Sequence, residues 1–499
     1  EGFVLLKNEN AALPMNKGAR ISVFSKNSVN LSYGGSGSGG FDTSNNKNLY
    51  ESLNDAGFVT NPTLKRFYES NQSGSVRTAN SSDLDNGDNQ KIATAETPQN
   101  KYTDAVRNSY ADYSDAALVV ITRIGGEGFD LPRYQGDSEG AVSPDSHYLE
   151  LDQNEIDLLT AVTDGTFKRV VVVFNTPSSF EATFLKDSAY AAFADKIDAA
   201  VWIGFTGSNG ITALGEILNG DVNPSGRLVD TYVHDNLSSA AMQNFGDYRY
   251  VNEDGSLSGY SYVNYAEGIY VGYKYYETRY EDAVLKQGNA GDYDYAATVA
   301  YPFGYGLSYT DFEWSDLKVD WDGDLCTASV TVKNTGFTSG KDVVEFYVQS
   351  PYIPGGVEKA AVALAQYVKT SELAPGESQR VSVTFSKQDI ASYDAKDAKT
   401  YVIDAGDWYV TAAHDAHEAV NNVLAAKGKT TADGMTANGN TAMAAKYTVS
   451  ERELLSKDAV SGAEVTNQLD DIVYADDTVY LSRSDWSCLL YTSPSPRDA

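Results

Sequence analysis

Glu127 is the residue of this chain best placed to do chemistry. It lies in the run Ile121-Thr122-Arg123-Ile124-Gly125-Gly126-Glu127-Gly128-Phe129-Asp130, a glycine-flanked loop that presents one carboxyl group. Small neighbours on both sides let such a carboxyl approach a bound molecule closely. There it can give or take a proton as a general acid or base. Asp130, Asp137 and Glu139 follow closely. A two-carboxylate mechanism needs its second acid at a defined separation, and closeness in sequence does not supply that.

Other motifs carry weaker signals. Gly35-Ser36-Gly37-Ser38-Gly39-Gly40 contains a formal GxGxxG pattern. A nucleotide fingerprint must follow its strand at once and open a helix. Here the nearest strand candidate ends at Phe24 and no clean helix opens at Gly40, so a flexible loop at a site mouth is the better reading. A Gly-x-Ser-x-Gly match occurs only inside that same loop and lacks the strand–turn–helix context of a serine nucleophile. His414 and His417, with Glu418, have helix-face spacing, but a surface pair is a better reading than a ligand set. No metal or cofactor is expected.

The elements that must position Glu127 are legible in the first 245 residues. Arg20–Phe24, 117–122, 169–174 and 199–203 are short runs rich in Val and Ile. Continuous apolar runs indicate strands covered on both faces, as in parallel sheets. The 117–122 run ends just before the Glu127 loop, and in such sheets sites form beyond the strands' carboxyl ends. A helix is expected over about 153–163, with Asp152 as its cap, Glu155 completing a capping box, and Ile156, Leu159 and Val162 as its apolar stripe. A second is expected over about 211–218. Alternating strands and helices imply an α/β sandwich.

Residues 246–312, rich in Tyr and Gly, read as a connector. From 313 to 415 the period changes to two: Val381, Val383 and Phe385 alternate with Ser382 and Thr384, and Val344, Phe346 and Val348 with Glu345 and Tyr347. Turn signals at Asn334-Thr335-Gly336 and Ala374-Pro375-Gly376 separate the runs, giving a small β-sandwich. Residues 416–486 read as a linker, helical around 451–456. The stretch Cys488–Ala499 matches nothing before it, resembles translated adapter sequence, and is set aside.

Composition narrows the partners. A net charge of −31 argues against nucleic acid and anionic membrane surfaces. No run approaches the ~20 apolar residues of a membrane span. Cys326 and Cys488 give no disulfide framework, and four histidines are few for a metal site. The 35 tyrosines suit sugar binding, and equally β-sandwich faces.

An ordered set of motifs resembles glycoside hydrolase family 3, the β-glucosidase and β-xylosidase family. "EGFVLLKN" at 1–8 looks like the start of the family's second domain, and "GGEGFD" at 125–130 like its acid/base loop. "NPSGRLVDT" at 223–231, "EGIYVGYKYYET" at 267–278 and "YPFGYGLSYTDF" at 301–312 look like later landmarks. "VKNTG" at 332–336 and "LAPGES" at 373–378 look like its fibronectin type III-like domain. The resemblance implies a mostly parallel six-stranded α/β sandwich over 1–245 and a fibronectin type III-like β-sandwich over 313–415. It also implies a retaining exo-acting β-glycosidase cleaving terminal β-glucosyl or xylosyl residues from an oligosaccharide or glycoside. Glu127 would be its general acid/base, with a raised pKa, and an aspartate on a separate (β/α)8 barrel the nucleophile. The sequence shows no barrel pattern ahead of the sandwich. "YLSRSDW" at 480–486 resembles members with reversed domain order, in which the barrel follows. Asp485 mimics the nucleophile signature but lacks the preceding barrel strands. The barrel is therefore expected to be a partner outside this chain, leaving the chain alone inactive. The rival reading is a non-catalytic carbohydrate-binding or scaffolding protein. Sugar specificity, export and oligomeric state are not set by the sequence.

Overall fold

Five parallel strands and one antiparallel edge strand form the central sheet of the computed structural model. The structure describes residues 1–35, 37–77, 94–125, 127, 131–186, 190–244, 248–252, 254–262, 265–467 and 479–486. The strands are β1 (Val4–Asn8), β2 (Arg20–Phe24), β3 (Val59–Thr60), β4 (Ala116–Thr122), β5 (Val170–Asn175) and β6 (Ala199–Trp202). Their order is β1-β6-β5-β4-β2-β3, with β1 running against β6. Every residue of β4 and β5 is buried. Successive side chains enter opposite cores: Val119, Ile121, Val172 and Phe174 on one face, Leu118, Val120, Val171 and Val173 on the other. This period of two explains why the runs read as unbroken apolar segments. Each such side chain contributes about 1.5–3 kcal/mol through burial.

The expected helices form at Gln153–Val162 and Thr212–Asn219. The capping box at the first is reciprocal. Glu155 N donates to Asp152 Oδ1 at 2.8 Å, and Asp152 N donates to Glu155 Oε2 at 2.9 Å. The second ends on Gly220 at φ 82°, a left-handed position that suits glycine.

Three of the sequence landmarks meet in one place. Leu307 N donates to Leu5 O at 2.9 Å, and Leu228 N to Tyr305 O at 2.8 Å. Arg227 donates to the Gly306 carbonyl and to Asp342 Oδ1, which is 2.7 Å away. A side chain at Gly226 would collide with the Phe3 carbonyl, and one at Gly306 with the Gly226 carbonyl. Close backbone approach therefore explains both glycines. Asp342 is 1% exposed and also accepts from Trp314 Nε1 at 2.7 Å, so this knot joins the α/β layer to the β-sandwich.

The sandwich pairs a three-stranded sheet (Phe312–Asp322, Leu325–Asn334, Ser378–Ser386) with a four-stranded one (Ala363–Lys369, Val343–Gln349, Gly406–Ala413, Ala444–Val449). Val381, Val383 and Phe385 point inward, as their alternation predicts. In Val343–Gln349, however, every residue is buried, Glu345 and Tyr347 included. The outer face of that strand is covered by two helices, Tyr273–Leu285 and Ala416–Ala426, which share a third core with Tyr347. Cys326 is buried in the sandwich with a free thiol, and Cys488 lies outside the described residues.

Two sequence expectations change locally. The stretch 246–312 holds a 13-residue helix, Tyr273–Leu285, whose Glu277, Glu281 and Asp282 are buried. Buried acids on an otherwise aromatic helix erase the amphipathic signal. The stretch 416–486, read as a linker, instead supplies the helix Ala416–Ala426 and the strand Ala444–Val449 that pairs with Gly406–Ala413. Its 451–456 portion, expected helical, forms the strand Glu453–Leu455, which pairs with Thr400–Ile403. Backbone pairing with distant strands overrides the weak local preference. The 487–499 tail lies outside the described residues. Among the described residues no helix is long and apolar enough to cross a membrane.

The segment 479–486 docks onto the Tyr273–Leu285 helix through Arg483. This side chain is 2% exposed and pairs with Glu281 and, at 2.8 Å, with Asp282 Oδ1. Trp486 Nε1 donates to Asp282 Oδ2 at 2.9 Å. Replacing one member of a buried ion pair strands the other, at a cost of about 3–5 kcal/mol. Arg483→Ala is therefore expected to lower the unfolding free energy from urea titrations by an amount in that range. A loss below ~1 kcal/mol would contradict a buried pair.

Candidate functional site

Strand order places the candidate site. Leaving β2 the chain goes to β3 at one edge, then crosses to β4 on the other side of β2. The connections after β2 and β4 therefore diverge, and their carboxyl ends border a crevice, the usual ligand position in open α/β sheets. Glu127 follows β4, and Ser38 lies in the loop after β2. The two loops meet there, with Ser38 N donating to Glu127 Oε2 at 2.5 Å.

Arg123 fixes the chain that launches this loop. It is 1% exposed, and its guanidinium grips Glu155 through two hydrogen bonds of 2.8 Å each. It also donates to Tyr148 O at 2.7 Å, to Thr122 O at 3.0 Å and to Glu150 O. The end of β4, the 148–150 segment and the start of the 153–162 helix are thus one unit. Asn175, at the end of β5, ties the neighbouring loops: it accepts from Ser32 N at 2.7 Å and donates to Ser32 O and Gly204 O at 2.8 and 2.7 Å.

Glu127 itself is exposed. Hydrogen bonds from the Ser38 side chain, and then its backbone N–H, hold the carboxyl below its ordinary value. The sequence expectation was the reverse, a raised pKa. Burial, the one cause that raises it, is outweighed here by donors to the ionised form. Gly126, Gly128, Phe129 and Asp130 lie outside the described residues, as does Ser36 of the glycine loop. Asp137 and Glu139 are exposed on the turn beyond Leu131–Arg133.

A cavity of about 370 Å³ opens beside the loop's return leg, lined by Leu131, Arg133, Leu149, Asp230, Met242 and Tyr276 among others. His147 and Glu181 reach its wall, and Asp235 lies near them. Sequence reading missed this group. Its members come from distant segments with no motif spacing, and only folding brings them together. His414 and His417 do not form a joint site. His414 Nδ1 sits 2.7 Å from Glu418 and its ring stacks on Trp314. His417 Nδ1 sits 2.8 Å from Glu277 and its ring stacks on Tyr295. The second is half-buried in a packed contact rather than a free surface residue.

Residues 3–273 match the family model of the glycosyl hydrolase family 3 C-terminal domain, and residues 342–416 that of the fibronectin type III-like domain. The chain is 33% identical over 424 residues to Beta-glucosidase A of Butyrivibrio fibrisolvens, covering 79% of this chain and 45% of that protein. It is 31% identical over 427 residues to a beta-glucosidase of Ruminococcus albus, covering 84% and 39%. The chain thus spans less than half the length of these curated relatives. Among solved structures it resembles beta-glucosidase 3B from Thermotoga neapolitana in complex with glucose, at TM-score 0.65 and 26% identity over 90% of this chain and 53% of that one. It also resembles a beta-glucosidase from Paenibacillus barengoltzii, at TM-score 0.66 and 27% identity over 91% and 43%.

The support beneath the loop carries two buried acids. Burial raises Glu96 to about 8, and burial together with the charge of Glu155 raises Asp152 to about 7. Each holds a proton in the folded chain that it releases at neutral pH when unfolded. Both groups therefore lower stability as pH rises above the unfolded carboxyl pKa, Asp152 until about 7 and Glu96 until about 8, each by about 1.4 kcal/mol per pH unit within its window. Denaturant titrations at a series of pH values should show this decline. Glu96→Gln should flatten it and raise stability at pH 8. An unchanged slope in that variant would assign the decline elsewhere.

Proposed function

The chain belongs to glycosyl hydrolase family 3, whose C-terminal domain it carries, and from that premise we propose that Glu127 is the general acid/base of a retaining exo-acting β-glycosidase. The substrate is a terminal non-reducing β-D-glucosyl, or xylosyl, residue of an oligosaccharide or glycoside. The nucleophile is an aspartate on a (β/α)8 barrel outside these residues. One observation carries this reading: the sheet's switch point presents a glycine-flanked glutamate at the carboxyl end of β4. The names of the similar proteins, beta-glucosidases, support the substrate class.

In the first step Glu127 protonates the glycosidic oxygen as the bond to the sugar breaks and the nucleophile forms a glycosyl-enzyme intermediate. In the second its carboxylate takes a proton from the attacking water. An acid with a lowered pKa donates poorly near neutral pH. The barrel must therefore cover the exposed carboxyl and bring a second negative charge near it, both of which raise its pKa. The 499-residue chain alone lacks that environment and hydrolyses little or nothing.

In the enzyme rejoined to its barrel, Glu127→Ala should slow turnover of disaccharides by ~10²–10⁴-fold. Added azide should restore turnover of aryl glycosides with good leaving groups, yielding glycosyl azide of retained configuration. Normal turnover of both substrate types in the variant would remove Glu127 from the mechanism.

A further inference from the structure

Away from Glu127, three groups with metal-binding atoms converge from distant parts of the chain. His147 lies in the segment returning from the Glu127 loop, Glu181 follows β5, and Asp235 precedes the turn Asn236–Ser238. Their ligand atoms lie within 4.8 Å of one another. His147 Nδ1 is 2.9 Å from Glu181 Oε1 and 3.6 Å from Asp235 Oδ1. Bonds of ~2.1 Å at tetrahedral angles set donor atoms ~3.4 Å apart, close to both distances from His147 Nδ1.

The electrostatics of Glu181 ask for a further cation. It is 4% exposed, and among the described residues no Lys or Arg pairs with it. Its Oε1 accepts from Asn236 N at 2.8 Å and meets the imidazole. Its Oε2 receives no donor among the described residues, and the side chain lines the cavity. Thr231 lines the same cavity, and its Oγ1 is buried without a hydrogen-bond partner among the described residues. Glu150, whose carboxylate accepts from His147 N, and Asp230 add negative charge around the group.

We propose that His147, Glu181 and Asp235 bind a first-row divalent transition metal ion, zinc or manganese, with an open coordination position toward the cavity. One imidazole with two carboxylates suits these ions. Calcium and magnesium take shells of oxygen alone. The bound ion joins the return leg of the Glu127 loop, the segment after β5 and the 235–238 turn. Its open position takes an oxygen ligand from the cavity. This site is independent of whether Glu127 is the acid/base.

The test uses the whole chain, freed of metal by a chelator. Titration with Co²⁺ followed by visible absorption, and with Zn²⁺ by calorimetry, should saturate at one equivalent. Glu181→Gln and His147→Gln should each weaken binding at least ~10-fold, with circular dichroism confirming that the variants fold. In the unsubstituted chain, ¹⁵N resonances of the four histidines report directly. Zn²⁺ should shift one imidazole at Nδ1, the one missing from His147→Gln. That experiment stands even if Glu181→Gln fails to fold. Absence of one-equivalent saturation, undiminished binding in the folded variants, or a Zn²⁺ shift at another histidine would overturn the site.

Discussion

The buried guanidinium of Arg123 is the contact on which the working face of this protein depends. A charge at 1% exposure is tolerable only if its donors are met by acceptors and its charge by a counter-charge. Glu155 supplies the charge, and the carbonyls of Thr122, Tyr148 and Glu150 supply the rest. Because Glu155 is also half of the capping box of the 153–162 helix, one carboxylate holds both the helix start and the strand end. The loop carrying Glu127 therefore leaves from a rigid point, although its tip is exposed.

Sheet topology then decides where that point faces. The divergence of the connections after β2 and β4 opens a crevice that neither loop can fill alone. Asn175 keeps its floor in register by joining the loops after β2, β5 and β6. Glu127 reaches into this crevice and finds Ser38. There the carboxylate is exposed and stabilised in its ionised form.

The β-sandwich and its helices give this layer a fixed neighbour. The knot of Arg227, Asp342 and Gly306 crosses from one layer to the other. Helices Tyr273–Leu285 and Ala416–Ala426 bury the outer face of the four-stranded sheet, so a strand that alternates in sequence is covered on both sides. The acids on the first helix are balanced from elsewhere, Glu281 by Lys427 and Arg483 and Asp282 by Arg483.

Elements whose signals are local could be read from the order of residues. Unbroken Val and Ile runs marked β4 and β5, and Asp152 with Glu155 marked a helix start, because backbone period and capping act within a few residues. The same order also marked Glu127 as the candidate acid, since a carboxyl between glycines at a strand's end is visible in one dimension. The rest emerged only in three dimensions. Helix Tyr273–Leu285 hid its period behind buried acids that need partners hundreds of residues away. Residues 444–449 looked like linker because their stability comes from pairing with 406–413. The direction of the Glu127 pKa shift depended on Ser38, and the His147, Glu181 and Asp235 group on three separate segments. Electrostatic and hydrogen-bond energies depend on distances in space, which linear spacing does not encode.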